Sequence, residues 1–277
     1  MDNQNRTMKN ILRLFTLFFA LLLMVGTIAA QDKSAASVYN EGLAMLKAKN
    51  FEAGLPLMEE AVTLAEAEEN EQVINLAKKN GSVAAYNVGN TKRKAKMYEE
   101  ALIAFEKGME MNPEYPSNFF GKAQVLEAQG EELEALKMHL VAAGKYIESG
   151  KAKRGEKITN KAKNDVGRAY VGKNYDLAIS LGTAFLEFED NAEVHYYLAQ
   201  AYSEKGDNDT ALVHAEKAID VSAQDDDGET KDKYYYAKGT VLENLGKNGE
   251  AVEAFKMITG AKYKKNAEHK IQKLGSK

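Results

Sequence analysis

The chain has 277 residues, a formal net charge of −4, no cysteine, no tryptophan, and three prolines against 21 glycines. The missing cysteine excludes a disulfide framework, a zinc–thiolate site and a cysteine nucleophile. The near-balanced charge gives no overall bias toward nucleic acid, and scarce proline beside abundant Ala, Glu, Lys and Leu leans toward helix.

The first element in chain order is not part of a fold. Residues 14–30 read LFTLFFALLLMVGTIAA and follow Arg6, Lys9 and Arg13. A basic flank, an apolar run and a small-residue exit at Ala29 and Ala30 make a secretory signal peptide over 1–30. Gln31 is the expected mature terminus, and 31–36 a short N-terminal segment. Met8 opens a more compact version of the same signal. The alternative is an uncleaved anchor, since an apolar run of this length is at the lower limit for a span. A lipid anchor is excluded, because that modification needs a cysteine after the cleavage site. A chain without stray thiols suits an oxidising compartment, so the expectation is export, most of all to the periplasm. Residues 1–30 carry a net +2, which leaves a mature chain near −6.

Beyond residue 36 the pattern is repetitive. Residues 82–113 hold two helical stripes: Tyr86, Gly89 and Arg93 in the first, then Tyr98, Ala101, Phe105 and Gly108 in the second, stopped by Pro113. The arrangement returns at 192–221 through Tyr196, Ala199, Tyr202, Gly206, Ala211, Ala215 and Ala218. It returns again at 232–258 through Tyr236, Gly239, Leu242, Gly246, Ala251 and Phe255. Residues 37–62 and 117–143 are weaker copies. The copy at 159–188 departs most, with Val166 and Gly182 where a small residue and an aromatic stand elsewhere.

This sequence resembles the tetratricopeptide repeat, a helix–turn–helix unit of about 34 residues. AYNVGN at 85–90 carries the first half of that pattern, and Tyr98 to Pro113 the second. The resemblance implies an all-α fold: a right-handed superhelical solenoid of about six repeats within 37–265. The repeats fall near 35–68, 82–115, 116–149, 159–190, 192–225 and 232–265. Small residues in the first helices (Gly42, Gly89, Ala123, Ala199, Gly239) let each pair cross closely. A second series (Gly54, Ala101, Ala135, Ala178, Ala211, Ala251) admits the next repeat, while Met58, Phe105 and Phe255 fill the remaining space. Spacings in the second series run 47, 34, 43, 33 and 40. The extra residues therefore fall near 66–80, 145–160 and 222–232, as longer helices or loops. Ala267, Ile271 and Leu274 form one apolar stripe, so 266–277 reads as a capping helix and basic tail.

Signs of catalysis are absent. No phosphate loop, GxSxG elbow, HExxH or EF-hand pattern occurs. His195 and His214 fall in different helices of one repeat but have no evident further ligand. His139 and His195 take positions that are aromatic or bulky in such repeats, so both read as packing residues. Asp225, Asp226, Asp227 and Glu229 read as a solvated loop rather than a calcium site. No metal, no cofactor and no nucleic-acid partner is expected.

In the family's geometry the first helices line a concave groove. The resemblance places on it Tyr39, Tyr86, Phe120, Tyr196 and Tyr236, with Lys163 interrupting the series. Beside them lie Asn40, Asn87, Asn90, Arg93, Gln124, Gln200 and Thr240. Tyrosine offers large area at low entropy cost, and amides pair with a peptide main chain whatever its sequence. The alternative is that these rings pack partly against the neighbouring helix. Residues 145–163 and 261–277 each carry a net +5, and Glu59 to Glu71 six acids and no base. They read as solvated faces, or, at the two basic segments, as weak contacts with an anionic envelope surface. The expected function is an exported adaptor or scaffold that holds a protein or peptide partner in the cell envelope. The alternative is a self-associating structural protein, or one at a wall or membrane surface, without a dedicated peptide ligand. An enzyme is the remaining class, and it needs a closed convergent pocket.

Overall fold

The computed structural model describes residues 33–224 and 228–275; the signal-type segment 1–30 and the acidic residues 225–227 lie outside the described residues. Among the described residues the chain forms thirteen α-helices and no strand. It divides into two compact units, residues 1–84 and 85–277.

The first unit holds α1 (Ala35–Lys47), α2 (Phe51–Ala67) and the first part of α3 (Glu71–Lys94). Ser34 and Asn50 cap α1 and α2 by accepting the backbone N–H of Ser37 and Ala53. Gly42 lets α2 approach, since a Cβ there would sit 3.0 Å from Met58 Cε.

The second unit runs from the remainder of α3 through ten further helices. These are α4 (Tyr98–Met111), α5 (Pro116–Gln129), α6 (Glu132–Glu148), α7 (Ala152–Val171), α8 (Tyr175–Leu186) and α9 (Ala192–Glu204). They continue as α10 (Asn208–Val221), α11 (Gly228–Asn244), α12 (Asn248–Lys256) and α13 (Ala261–Gly275). Helices adjacent in the chain pack in antiparallel pairs, and α7, α9, α11 and α13 also touch in series. Each pair thus covers the apolar face its neighbour cannot bury alone.

One residue with positive φ closes each tight turn between paired helices. Gly130, Gly206 and Gly246 do so without strain, whereas Lys96 and Lys173 hold φ 61° with a full side chain. At the turn after α11 the N–H of Gly246 reaches Glu243 O at 3.0 Å and that of Lys247 reaches Leu242 O at 2.9 Å, satisfying two end carbonyls.

The core follows a large-on-small rule. Phe105 is fully buried against Gly89 of its own repeat, where a Cβ would lie 2.6 Å from the ring, and against Gly121 of the next. Phe255 meets Gly239 in the same way at 2.6 Å. In the divergent repeat, Gly182 stands where these phenylalanines do, and Leu198 of the next first helix fills the space.

The extra residues between repeats lengthen first helices. The first-helix signature begins near 82, but α3 begins at Glu71 and runs 24 residues; α7 runs 20. Residues 71–81 contain no proline and only one glycine, so nothing stops the helix from starting early. The last helix likewise begins at Ala261, not 266. Its Ala267 and Leu274 are buried on Leu242, Phe255 and Ile258. Glu243 fixes its outer side through Lys270 at 2.5 Å and Lys273 at 3.4 Å, and Asp232 caps the turn before it through the N–H groups of Thr259 and Gly260.

Gly89→Ala drives a methyl into the Phe105 ring, so it should lower unfolding stability by about 1–3 kcal/mol in urea titration. Gly249→Ala, with open space around its Cβ, should not lower it; equal losses at both sites would contradict the large-on-small account.

Candidate functional site: the first-helix face

The series on the first-helix face does two things at once. In the first unit, Tyr39 packs on Ala35, Ala65, Val73 and Ile74, and its hydroxyl accepts from Asn80 of α3 at 2.9 Å. Asn40 beside it is exposed.

In the second unit each equivalent side chain reaches the next first helix or the turn that begins it. Tyr86 meets Tyr115 edge-on at 6.1 Å, and also Phe105 at 6.2 Å. Phe120 packs against Ile158 and Tyr146, with the Arg154 guanidinium 5.7 Å from its ring. Lys163, the interruption in the aromatic series, pairs with Glu193 of α9 at 3.0 Å. Tyr196 meets Tyr234 of α11 at 5.9 Å, and Tyr236 meets Tyr263 of α13 at 5.6 Å. The five positions of the second unit are therefore rungs of one ladder, aromatic at four and ionic at one. Burial raises the Tyr196 hydroxyl above its usual range, while Gln200, donating at 3.4 Å, works the other way.

The polar neighbours differ in how far the fold uses them. Asn90 Oδ1 accepts from Arg93 at 3.3–3.4 Å, which holds the guanidinium over the end of α3. The Thr240 hydroxyl is turned back onto Tyr236 O at 2.9 Å, the common helix-internal bond, and is not presented outward. Gln124 is half-buried and has no hydrogen-bond partner among the described residues. Asn87 is half-buried too. Sequence reasoning missed Tyr115, Tyr234, Tyr263 and Arg154. The signal available for one of them was the run Tyr234–Tyr235–Tyr236, whose first ring lies two residues, about half a helical turn, ahead of Tyr236.

The charged segments are engaged in part. In 145–163, Lys145 pairs with Glu114 at 3.0 Å, and Lys161 with Glu127 at 2.7 Å and Asp165 at 2.9 Å. Arg154 lies 4.2 Å from the Tyr146 ring. In the last helix Lys270 and Lys273 serve Glu243.

A cavity of about 430 Å³ opens beside Lys161, between α5, α6, α7 and α8, with a floor of Leu136, Leu177 and Leu181. His139 on its wall takes the position held by Phe105 and Phe255, and its ring lies tilted 5.3 Å from that of Phe120. Burial and nearby Lys161 push its pKa down, keeping the imidazole neutral. Its Nε2 lies 3.5 Å from Glu127 Oε2, too far for a good hydrogen bond, and Nδ1 has no partner. Glu127 is opposed by burial but held below the usual carboxylate range by Lys161. Among the described residues no three metal-capable side chains gather, and no helix is long and apolar enough to cross a membrane.

Because the rings bridge repeats, Tyr196→Ala should lower the denaturation midpoint of the chain, by about 1–3 kcal/mol in stability. An unchanged midpoint would mean that the ring contributes to a surface only.

The family model for the tetratricopeptide repeat matches residues 83–115, 192–225 and 232–259. No curated protein sequence matches the chain. Among solved structures, the TPR domain of P58(IPK) is 15% identical over 87% of this chain and 64% of its own, with a TM-score of 0.38. This chain thus spans under two thirds of that relative's length. The TPR2AB domain of yeast Sti1, in a structure titled as a complex with pHSP90, is 13% identical over 87% and 98%, with a TM-score of 0.37. YrrB, described as a TPR protein with an unusual peptide-binding site, is 16% identical over 69% and 87%, with a TM-score of 0.34. The chain is an all-α repeat protein that carries tetratricopeptide repeats at these three segments, units that mediate protein–protein interactions.

Proposed function

We propose that the chain is a non-catalytic adaptor that binds an extended peptide segment of a protein partner along the first-helix face of its second unit. The observation that carries this is the side-chain mixture on that face. Half-exposed rings at Tyr86, Phe120 and Tyr196 are already held in place by the next helix, so binding orders little that is not ordered beforehand. Between them stand the unbonded Gln124 amide and the Gln200 amide, whose bond to Tyr196 at 3.4 Å is long and easily exchanged. Such a face supplies apolar area from the rings and main-chain pairing from the amides.

The signal pattern over 1–30 supports an exported protein, and the reading assigns it to the periplasm or a comparable envelope compartment. Ion pairs already take up part of the basic charge at 145–163 and in the last helix, which makes an anionic surface the weaker reading of the main partner.

The rings cannot serve as the test, because replacing them also loosens the stack. Asn90→Ala, Gln124→Ala and Gln200→Ala combined remove amides from the face and no buried contact. Affinity capture from an envelope fraction by the mature chain should recover a partner that the triple variant loses, with the variant's circular dichroism and melting unchanged. Equal capture by both would overturn the first-helix face as the binding surface.

A further inference from the structure

The fifth repeat departs from the others at one part-buried contact. His195 of α9 and His214 of α10 face each other with their Nδ1 atoms 2.9 Å apart. The equivalent pairs in the other repeats are Val38 and Leu57, Ala85 and Ala104, Phe119 and Met138, Ala162 and Leu181, and Tyr235 and Ala254. Every one of them is a pair of aliphatic, methionine or aromatic side chains. The fold therefore does not need polar groups here, and placing a buried and a half-buried imidazole there costs desolvation.

Both rings are also oriented from outside. Asp190 Oδ1 accepts from His195 Nε2 at 2.8 Å, which fixes that ring as the Nε2–H tautomer and leaves the Nδ1 lone pair facing His214. Tyr202 stacks on the His214 ring with centroids 5.5 Å apart and planes within 5°. A carboxylate on the far nitrogen of a histidine is the usual outer partner of a metal-bound imidazole. A square-planar ion about 2.0 Å from each of two adjacent nitrogens holds them about 2.8 Å apart, close to the separation present here.

We propose that His195 and His214 chelate a late first-row divalent ion through their Nδ1 atoms, copper(II) ahead of zinc(II) and nickel(II), with water or a partner's donor in the remaining positions. In the free protein the two Nδ1 atoms share one proton. On binding, that proton moves to His214 Nε2, both Nδ1 lone pairs turn toward the ion, and no net proton is released. Burial keeps His195 and His214 below the usual histidine range, His214 at about 4, so both are neutral near pH 7. The order of metals follows the affinity series for nitrogen ligands.

The test is titration of the untagged full chain with copper(II) chloride at pH 7, followed by calorimetry and by electron paramagnetic resonance. One saturable ion per chain is expected, with splitting from two imidazole nitrogens. His214→Leu and His195→Ala, each placing a residue that other repeats carry at that position, should weaken binding roughly tenfold or more and remove the two-nitrogen pattern. Asp190→Asn should weaken it by roughly tenfold through the lost outer contact. The metal-free melting temperature of His214→Leu should be unchanged or higher. His269→Gln, at an exposed histidine elsewhere, should leave binding intact. Equal copper affinity in the wild type and His214→Leu, or loss of binding in His269→Gln, would overturn the proposal. So would no saturable binding in the wild type, which would leave the pair as a packing contact only.

Discussion

Two of the five helix pairs in the second unit are set by a bulky second-helix side chain settling onto a bare stretch of first-helix backbone. Phe105 is the fullest case, fully buried between Gly89 of its own repeat and Gly121 of the next. A single ring thereby fixes both the crossing within a pair and the approach of the following pair. Packing at this density tolerates no added methyl, which is why glycine occurs at helix interiors where its low helix propensity would otherwise count against it. Where the rule lapses, local chemistry changes. At the third repeat a histidine takes the phenylalanine's place and a polar-walled cavity lies beside it. At the fourth a glycine does, and Leu198 from the next repeat closes the gap.

The ladder along the first helices is the second consequence. Tyr86, Phe120, Lys163, Tyr196 and Tyr236 each touch the following first helix or its leading turn, so the face proposed to bind a partner is built from the contacts that hold the stack together. A ligand lying across several rungs meets rings whose rotamers are already fixed. Affinity on such a face comes from preorganisation as much as from area.

Much of this was legible in the sequence, because the signals are short-range. The helical stripes recur within a few residues, and the small residues at Gly89 and Gly239 stand at one fixed spacing of 16 residues from the bulky Phe105 and Phe255, so the fold class follows from them. Helix starts were less legible: the repeat signature marks where helices pair, whereas α3 extends upstream to Glu71 simply because nothing interrupts it. The first-helix face was legible as a list of residues but not as a set of contacts. Tyr234 and Tyr263 lie 38 and 27 residues beyond Tyr196 and Tyr236, and no local pattern reports such a meeting. Likewise the sequence put His195 and His214 in one repeat, while the facing of their Nδ1 atoms depends on Asp190 and Tyr202, which only the packed helices bring to bear.

The central claim is that the repeats of the second unit are stabilised through one another rather than singly. Native-state hydrogen exchange across a series of denaturant concentrations measures this directly. The account predicts that core amides of α5 through α12 converge on one opening free energy as denaturant rises, with no repeat released ahead of its neighbours. Separate openings for successive helix pairs, each with its own denaturant dependence, would contradict it.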